Sequence, residues 1–244
     1  MTMLVAGHHK TATQWFIKVM LYLAQRNGST FQASHLSGVW RQGDEIDCFF
    51  NANSAYALFP KTAERGVHII RNPLDMLVSA YYSHLLTHTT DGWPDLARHR
   101  EALGKLDRAA GYQLELAYMS SHGFLTMDGL PEVVAPFAAL TAWNYDDHRF
   151  LTVRMEDLTS EPQIWLPRIF EHFGRAPPPG LDEAIVFSDF RHLAGGRAKG
   201  TIDQTSHYRS GKAGEWLAEL PVSTANAVKA MFAPLMTRYY PEIT

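Results

Sequence analysis

Met3-Leu-Val-Ala-Gly7-His-His-Lys10-Thr-Ala-Thr13-Gln-Trp15-Phe16 decides the fold. Met3 to Ala6 is a short apolar run closed by Gly7, the signature of a buried strand. From Trp15 onward Phe16, Val19, Met20, Leu23 and Ala24 recur at helical spacing until Asn27-Gly28 stops the pattern. Strand, short loop and helix therefore follow one another within thirty residues. The first turn of that helix points unpaired N–H groups at the Gly7–Thr13 loop. Its dipole adds positive potential there, Lys10 adds a full charge, and Thr11 and Thr13 add hydroxyls. A phosphate or sulfate is the natural ligand, and a capped helix with a solvated lysine is the plainer alternative. The nucleotide-triphosphatase pattern GxxxxGK[ST] is not met, since its second glycine is missing and Lys10 sits in mid-loop.

Working outward, Val67–Ile70 and Phe150–Val153 read as two more strands. Asn72-Pro-Leu-Asp75 opens a helix from Pro73 to about Leu86, with Asn as cap, Pro at the first position and Asp in the first turn. Further helices are expected over 111–122, 131–142, 162–173, 181–190 and 223–238. Residues 28–47 read mostly as loop, and 87–110 as an exposed polar excursion. Short strands alternating with helices imply a parallel sheet covered on both faces. The chain has 244 residues with 46% apolar and 19% charged, which suits a single globular domain over 1–244. Lys and Arg number 22 against 25 Asp and Glu, a net charge of −3 that argues against broad nucleic-acid binding. The lone Cys48 excludes an internal disulfide and a multi-cysteine metal site. No run approaches the ~20 apolar residues of a membrane helix, so a cytoplasmic protein is expected.

Two further basic elements stand out. Arg71 leaves the second strand with Ser79 two turns into the next helix, a fork and hydroxyl suited to a second phosphate; pairing of Arg71 with Asp75 is the plainer alternative. His207-Tyr-Arg209-Ser210-Gly211-Lys212-Ala-Gly214-Glu-Trp216 adds charge on a backbone that two glycines let fold closely over a ligand.

These elements, in this order, resemble the cytosolic-type sulfotransferase family. His9–Trp15 is similar to the family's PKSGTTW. Arg71–Asp75 with Ser79–Tyr82 resembles RNPKD…SYY, Arg154–Leu158 resembles YEDL, and Tyr208–Trp216 resembles RKGxxGDW. The resemblance implies a P-loop-containing nucleotide-binding α/β fold, a central parallel sheet flanked by helices on both faces. It also implies a donor, 3′-phosphoadenosine 5′-phosphosulfate (PAPS). Lys10, Thr11, Ala12, Thr13 and Gln14 would then hold its 5′ end, and Arg71, Ser79, Arg209, Ser210 and Gly211 its 3′-phosphate. Trp15, and Phe190 in a stretch similar to the family's TSF, would flank adenine, as flat aromatic faces allow. Ser210 stands where the family has a second cation, with Lys199 and Lys212 as neighbours that could compensate.

The expected chemistry is in-line transfer of a sulfuryl group to a hydroxyl of a small-molecule or carbohydrate-like acceptor. Lys10 and the loop N–H groups would meet the growing charge, with no metal required. The family's usual catalytic histidine falls in the region of Cys48-Phe-Phe-Asn51-Ala-Asn53, where an asparagine stands instead, and asparagine takes no proton. His9, beside Lys10, is the first candidate base and His35 the second, with Glu45, Asp47 and His84 further choices. A surface or hydrogen-bonded role is the ordinary alternative for each. Phe49, Phe50, Tyr56, Tyr82 and Trp93 are expected to give the acceptor pocket an aromatic lining. His84 and His88, four apart, could chelate a metal, but no third ligand is evident. Two other readings compete: a catalytically impaired protein that binds the donor or its product, and a P-loop nucleotide kinase. A homodimer stays open, although Leu217–Asn226 does not match the family's dimer motif.

Overall fold

The computed structural model describes residues 2–35, 46–91, 93–121 and 134–243. Five parallel strands form one sheet in the order β2-β3-β1-β4-β5. They are β1 (Met3–Ala6), β2 (Phe31–Ser34), β3 (Cys48–Asn51), β4 (Gly66–Ile70) and β5 (Phe150–Arg154). The register runs Ala6 to Asn51 on one side of β1 and Ala6 to His68 on the other. β1 is thus the strand from which the chain turns both ways, and ligands in such sheets bind at the carboxyl ends beside that strand.

The helices are α1 (Thr13–Asn27), α2 (Pro73–Tyr82), α3 (Pro94–Leu103), α4 (Arg108–Ser121), α5 (Pro136–Thr141) and α6 (Met155–Ser160). They continue with α7 (Pro162–His172), α8 (Leu181–Phe187), α9 (Phe190–Leu193), α10 (Trp216–Glu219), α11 (Val222–Met231) and α12 (Ala233–Tyr239). On one face of the sheet Val5, Val67 and Ile69 pack with Phe16 and Val19 of α1, Phe170 of α7 and Ile185 of α8. On the other, Ile70 packs with Leu74 and Leu77 of α2, Tyr112 of α4, Phe137 of α5 and Phe232. Ile69 and Ile70 facing opposite layers is the two-residue period of a strand buried on both sides. The expected α/β architecture, a parallel sheet with helices on both faces, is the one observed.

Several boundaries differ from the sequence reading. Residues 28–47 contain β2, a half-buried edge strand whose Gln and Ser mask its pattern. The stretch 87–110 is not an exposed excursion, because α3 buries Leu96, His99 and Leu103. Helix α2 stops at Tyr82, and Ser83–Thr87 form a π turn closed by His88 N–H to Ser83 C=O at 2.7 Å. The helix expected over 181–190 breaks at Ser188, and Asp189 caps α9 by accepting from Arg191 N–H. The last helix divides at Phe232, just before Pro234, which has no N–H to continue the ladder. Of the helix expected over 131–142, α5 covers 136–141, and residues 131–133 lie outside the described residues.

A cation-walled cavity at the carboxyl ends of the strands

The loop from Gly7 to Ala12 wraps the end of β1. Lys10 and Ala12 both have positive φ, 70° and 57°, a left-handed geometry that costs a side-chain-bearing residue ~1–2 kcal/mol. Thr11 holds the turn from inside. It is fully buried, its hydroxyl donates to His8 C=O at 2.7 Å, and it accepts from His8 N–H at 2.8 Å. Thr11 does not line the cavity, so its hydroxyl is not placed for the ligand role expected of it. Lys10, Ala12, Thr13, Gln14 and Trp15 all line it.

The cavity holds about 1100 Å³. Its walls bring together residues from distant parts of the chain: Lys10, Arg71, Ser79, Arg209, Ser210, Gly211, Trp15 and Phe190. Arg71 Nη1 donates to Lys10 C=O at 3.0 Å, locking the second basic element to the first. Asp75 does not pair with Arg71. Its buried carboxylate accepts Gly214 N–H at 2.6 Å and Trp216 N–H at 3.1 Å, fastening the third element to α2. Arg209 lies over the Tyr82 ring at 4.5 Å and donates to Glu215. Gly211 has φ 67°, and a Cβ there would sit 2.3 Å from Phe190 Cδ2, so only glycine lets that ring lie on the loop. Ser210 Oγ accepts from Lys212 N–H, so the hydroxyl in place of a cation serves the loop backbone. Lys199 and Lys212 both reach the cavity wall. Arg197 staples the loop by donating to Thr201 C=O at 2.7 Å and Arg209 C=O at 2.6 Å.

Burial first, and then the Arg71 charge, push the Lys10 ammonium down to about 7. Crowded cations with their water removed make a site that an anion relieves.

The candidate bases separate clearly. His9, His35 and His88 line the cavity. His8 turns away: it is fully buried, with Nε2 2.8 Å from His68 Nε2, and burial pushes it down to about 3. Asp47 precedes β3 at the opposite end of the sheet, where its carboxylate accepts Thr30 N–H at 2.9 Å, so it is excluded as a base. Glu45 lies outside the described residues. Asn53 lines the cavity and donates to His35 C=O at 2.7 Å. His84 does not face the cavity. Its Nδ1 lies 2.8 Å from Glu115 Oε1, and its Nε2 lies 3.0 Å from His9 Nε2. The other Glu115 oxygen lies 2.7 Å from His99 Nε2. His84 is not poised to chelate with His88: the π turn sends it inward to Glu115, and the ligand atoms of His84, His99 and Glu115 lie within 4.8 Å of one another. Neither Glu115 nor His99 was legible as a site residue, because no spacing links 9, 84, 99 and 115.

The five aromatic residues expected to line the acceptor pocket are placed elsewhere. Phe49 and Phe50 are core residues, and Trp93 packs with Leu96 and Tyr118. Tyr82 donates to Glu219 at 2.8 Å, and Tyr56 donates to Asp147 at 3.0 Å. None of the five lines the cavity.

The family model for the sulfotransferase domain matches residues 3–240. The chain belongs to the sulfotransferase family. No curated protein sequence matches it. Among solved structures it is similar to mouse sulfotransferase SULT7A1 complexed with PAP, at 14% identity and TM-score 0.63, over 96% of this chain and 84% of that one. It is also similar to retinol dehydratase in complex with androsterone and inactive cofactor PAP, at 12% identity and TM-score 0.60, over 96% and 80%. At these identities the likeness concerns the fold. The sulfotransferase has no helix among its described residues that is long and apolar enough to cross a membrane.

Proposed function

We propose that this sulfotransferase takes its sulfuryl group from PAPS and transfers it to a hydroxyl of a small, polar, carbohydrate-like acceptor. One observation carries the donor reading: Lys10, Arg71 and Arg209 meet two aromatic rings, Trp15 and Phe190, around one cavity. Three cations suit a ligand with two phosphate ends, and the rings suit a purine between them. Lys10, with the N–H groups that open α1, holds the 5′ end. Arg71, Ser79 and Arg209 hold the 3′-phosphate. The acceptor oxygen attacks sulfur as the bond to the bridging phosphate oxygen breaks, and Lys10 meets the charge left on that oxygen. No metal is assigned a part, because the side-chain and helix charges already face the leaving group.

His35, Asn53, His88 and His207 wall the cavity beside His9. Burial first lowers His88 and His207, each to about 4, so both are neutral rings that donate and accept hydrogen bonds. Such a wall favours a hydroxyl-rich acceptor over a flat apolar one. His9, adjacent to Lys10, is the base. The span matched by the family model supports reading 1–244 as one sulfotransferase domain, and a single buried cysteine fits a cytoplasmic setting. A homodimer would leave this cavity's residues all in one chain.

Calorimetry with adenosine 3′,5′-bisphosphate tests the donor, and absence of binding at millimolar concentration overturns it. A second reading has a specific observation behind it. With Asn53 and Ser210 at family positions, and Arg209 already on Glu215, the protein could bind the donor without transferring it. Turnover of labelled PAPS with a panel of sugars, polyols and phenols separates the two.

A further inference from the structure

We propose that His84 and Glu115 are positioning residues of a buried relay, which fixes the tautomer of His9 and carries away the proton that His9 accepts. This rests on the reading of His9 as the base.

The relay spans four elements. His9 is on the β1–α1 loop, His84 on the π turn, Glu115 on α4 and His99 on α3. The His9 and His84 rings stack with centroids 4.9 Å apart and an interplanar angle of 17°. The side chains of His84 and Glu115 are wholly buried. Burial opposes the Glu115 charge, but His84 and His99 outweigh it and hold the carboxyl at about 2. An ionised carboxylate only accepts, so His84 Nδ1 and His99 Nε2 both donate to it. The relay then has His84 Nε2 accept from His9. His9 must donate its Nε2–H across the 3.0 Å contact, which places the His9 lone pair on Nδ1.

The step balances. The acceptor O–H gives its proton to His9 Nδ1 as its oxygen bonds to sulfur, and the electrons of the breaking S–O bond go to the phosphate. His9 passes its Nε2 proton to His84 Nε2. The positive charge then lies on His84, against the Glu115 carboxylate. On His9 the charge is opposed by burial first, and then by His84, Lys10, His88 and His35. Arg100, whose Nε donates to His84 C=O at 2.7 Å, also lies on this side, and Arg71 and Arg209 act on Lys10. After product leaves, the Nε2 proton returns to His9 and the Nδ1 proton goes to water.

The test begins on the unmodified protein, with nitrogen-15 histidine NMR at pH 8 in the presence of adenosine 3′,5′-bisphosphate. His9 is expected as the Nε2–H tautomer and His84 as the Nδ1–H tautomer; His9 protonated on Nδ1 overturns the relay. In Glu115→Gln and His84→Gln, kcat with labelled PAPS is expected to fall about 10–100-fold, and the nucleotide Kd to change less than about twofold. The acid limb of the pH–rate profile moves to lower pH in Glu115→Gln, because the protonated relay loses its counter-charge. In a His9→Ala background the same substitutions are expected to cost nothing further. Losses as large there as in the wild type overturn the proposal. If His9→Ala alone keeps full activity, the base assignment fails while the tautomer result still stands.

Discussion

Nucleotide binding is expected to draw a proton from solution, and Lys10 is the group that takes it. In the free protein this ammonium sits partly buried between the Arg71 guanidinium and the loop, and is pushed down to about 7. A phosphate bound against it supplies the missing counter-charge and returns it toward its ordinary value. Bound Lys10 then stays charged across the working range, whereas free Lys10 does not. The proton taken up per nucleotide is about 0.5 at pH 7 and about 0.9 at pH 8. Because the bound state holds the extra proton, affinity is full below about 7 and declines as pH rises. Between pH 7 and pH 8.5 the Kd for adenosine 3′,5′-bisphosphate should rise about fifteenfold, or about 1.6 kcal/mol.

The assay is titration calorimetry at pH 8 in buffers of different ionisation enthalpy, where the slope of observed enthalpy gives the protons exchanged. The pH is chosen so that the ligand phosphates, with second ionisations near 6, contribute little. His88 and His207 titrate well below this range. Lys10→Ala should bind more weakly, with a slope near zero and no change of Kd with pH. Binding by the unmodified protein with no proton uptake at pH 8 would refute the argument: either Lys10 is charged when free or the phosphate does not sit against it.

Other expectations follow from single contacts. Arg71→Ala should raise the donor KM about 10–100-fold with a smaller effect on kcat in steady-state assays, since the proposed donor pose sets it at the 3′ end and not at the leaving group. Gly211→Ala should displace Phe190, whose ring atom a Cβ would approach to 2.3 Å, and weaken nucleotide binding in calorimetry about tenfold. Asp75→Asn removes a carboxylate that accepts two backbone N–H groups; urea melts should show a loss of about 2–3 kcal/mol, with faster proteolysis near Gly214. Ala12→Gly relieves a left-handed residue but loosens the unfolded chain, so denaturant melts should show a net gain below about 1 kcal/mol.

The fold was legible where burial was two-sided. Met3–Ala6 is a continuous apolar run, and Val67–Ile70 is interrupted only by His68, because both sheet faces are covered, and such runs mark parallel strands. Phe31–Ser34, on the sheet edge, carries only half of that signal. The first two parts of the cation wall, at Lys10 and Arg71, were legible because each pairs a strand end with a helix start, a local arrangement. The Asp75 clamp was not, because its partners are backbone groups near residue 214, which have no letter in the sequence. Likewise, a regular helix through residue 86 would have presented His84 differently; the π turn that buries it depends on packing against α3 and α4.

On the proposed reading of His9 as the base, the asparagine near the family's histidine position and the relay behind His9 have one physical explanation. β1 and β3 are adjacent and parallel, with Ala6 opposite Asn51, so their ends lie about 5 Å apart. Moving the base from the end of β3 to the end of β1 shifts it by one strand and keeps it on the acceptor side. The new place differs in its field, because it adjoins Lys10, whose charge the leaving phosphate needs and a protonated histidine opposes. A base there can receive a proton only if the charge moves on. His84 gives it a path of one ring, and Glu115 gives it an end. Within this arrangement Lys10 and His9 can be neighbours in sequence and serve opposite ends of one transfer, provided that the carboxylate on α4 is kept ionised and dry.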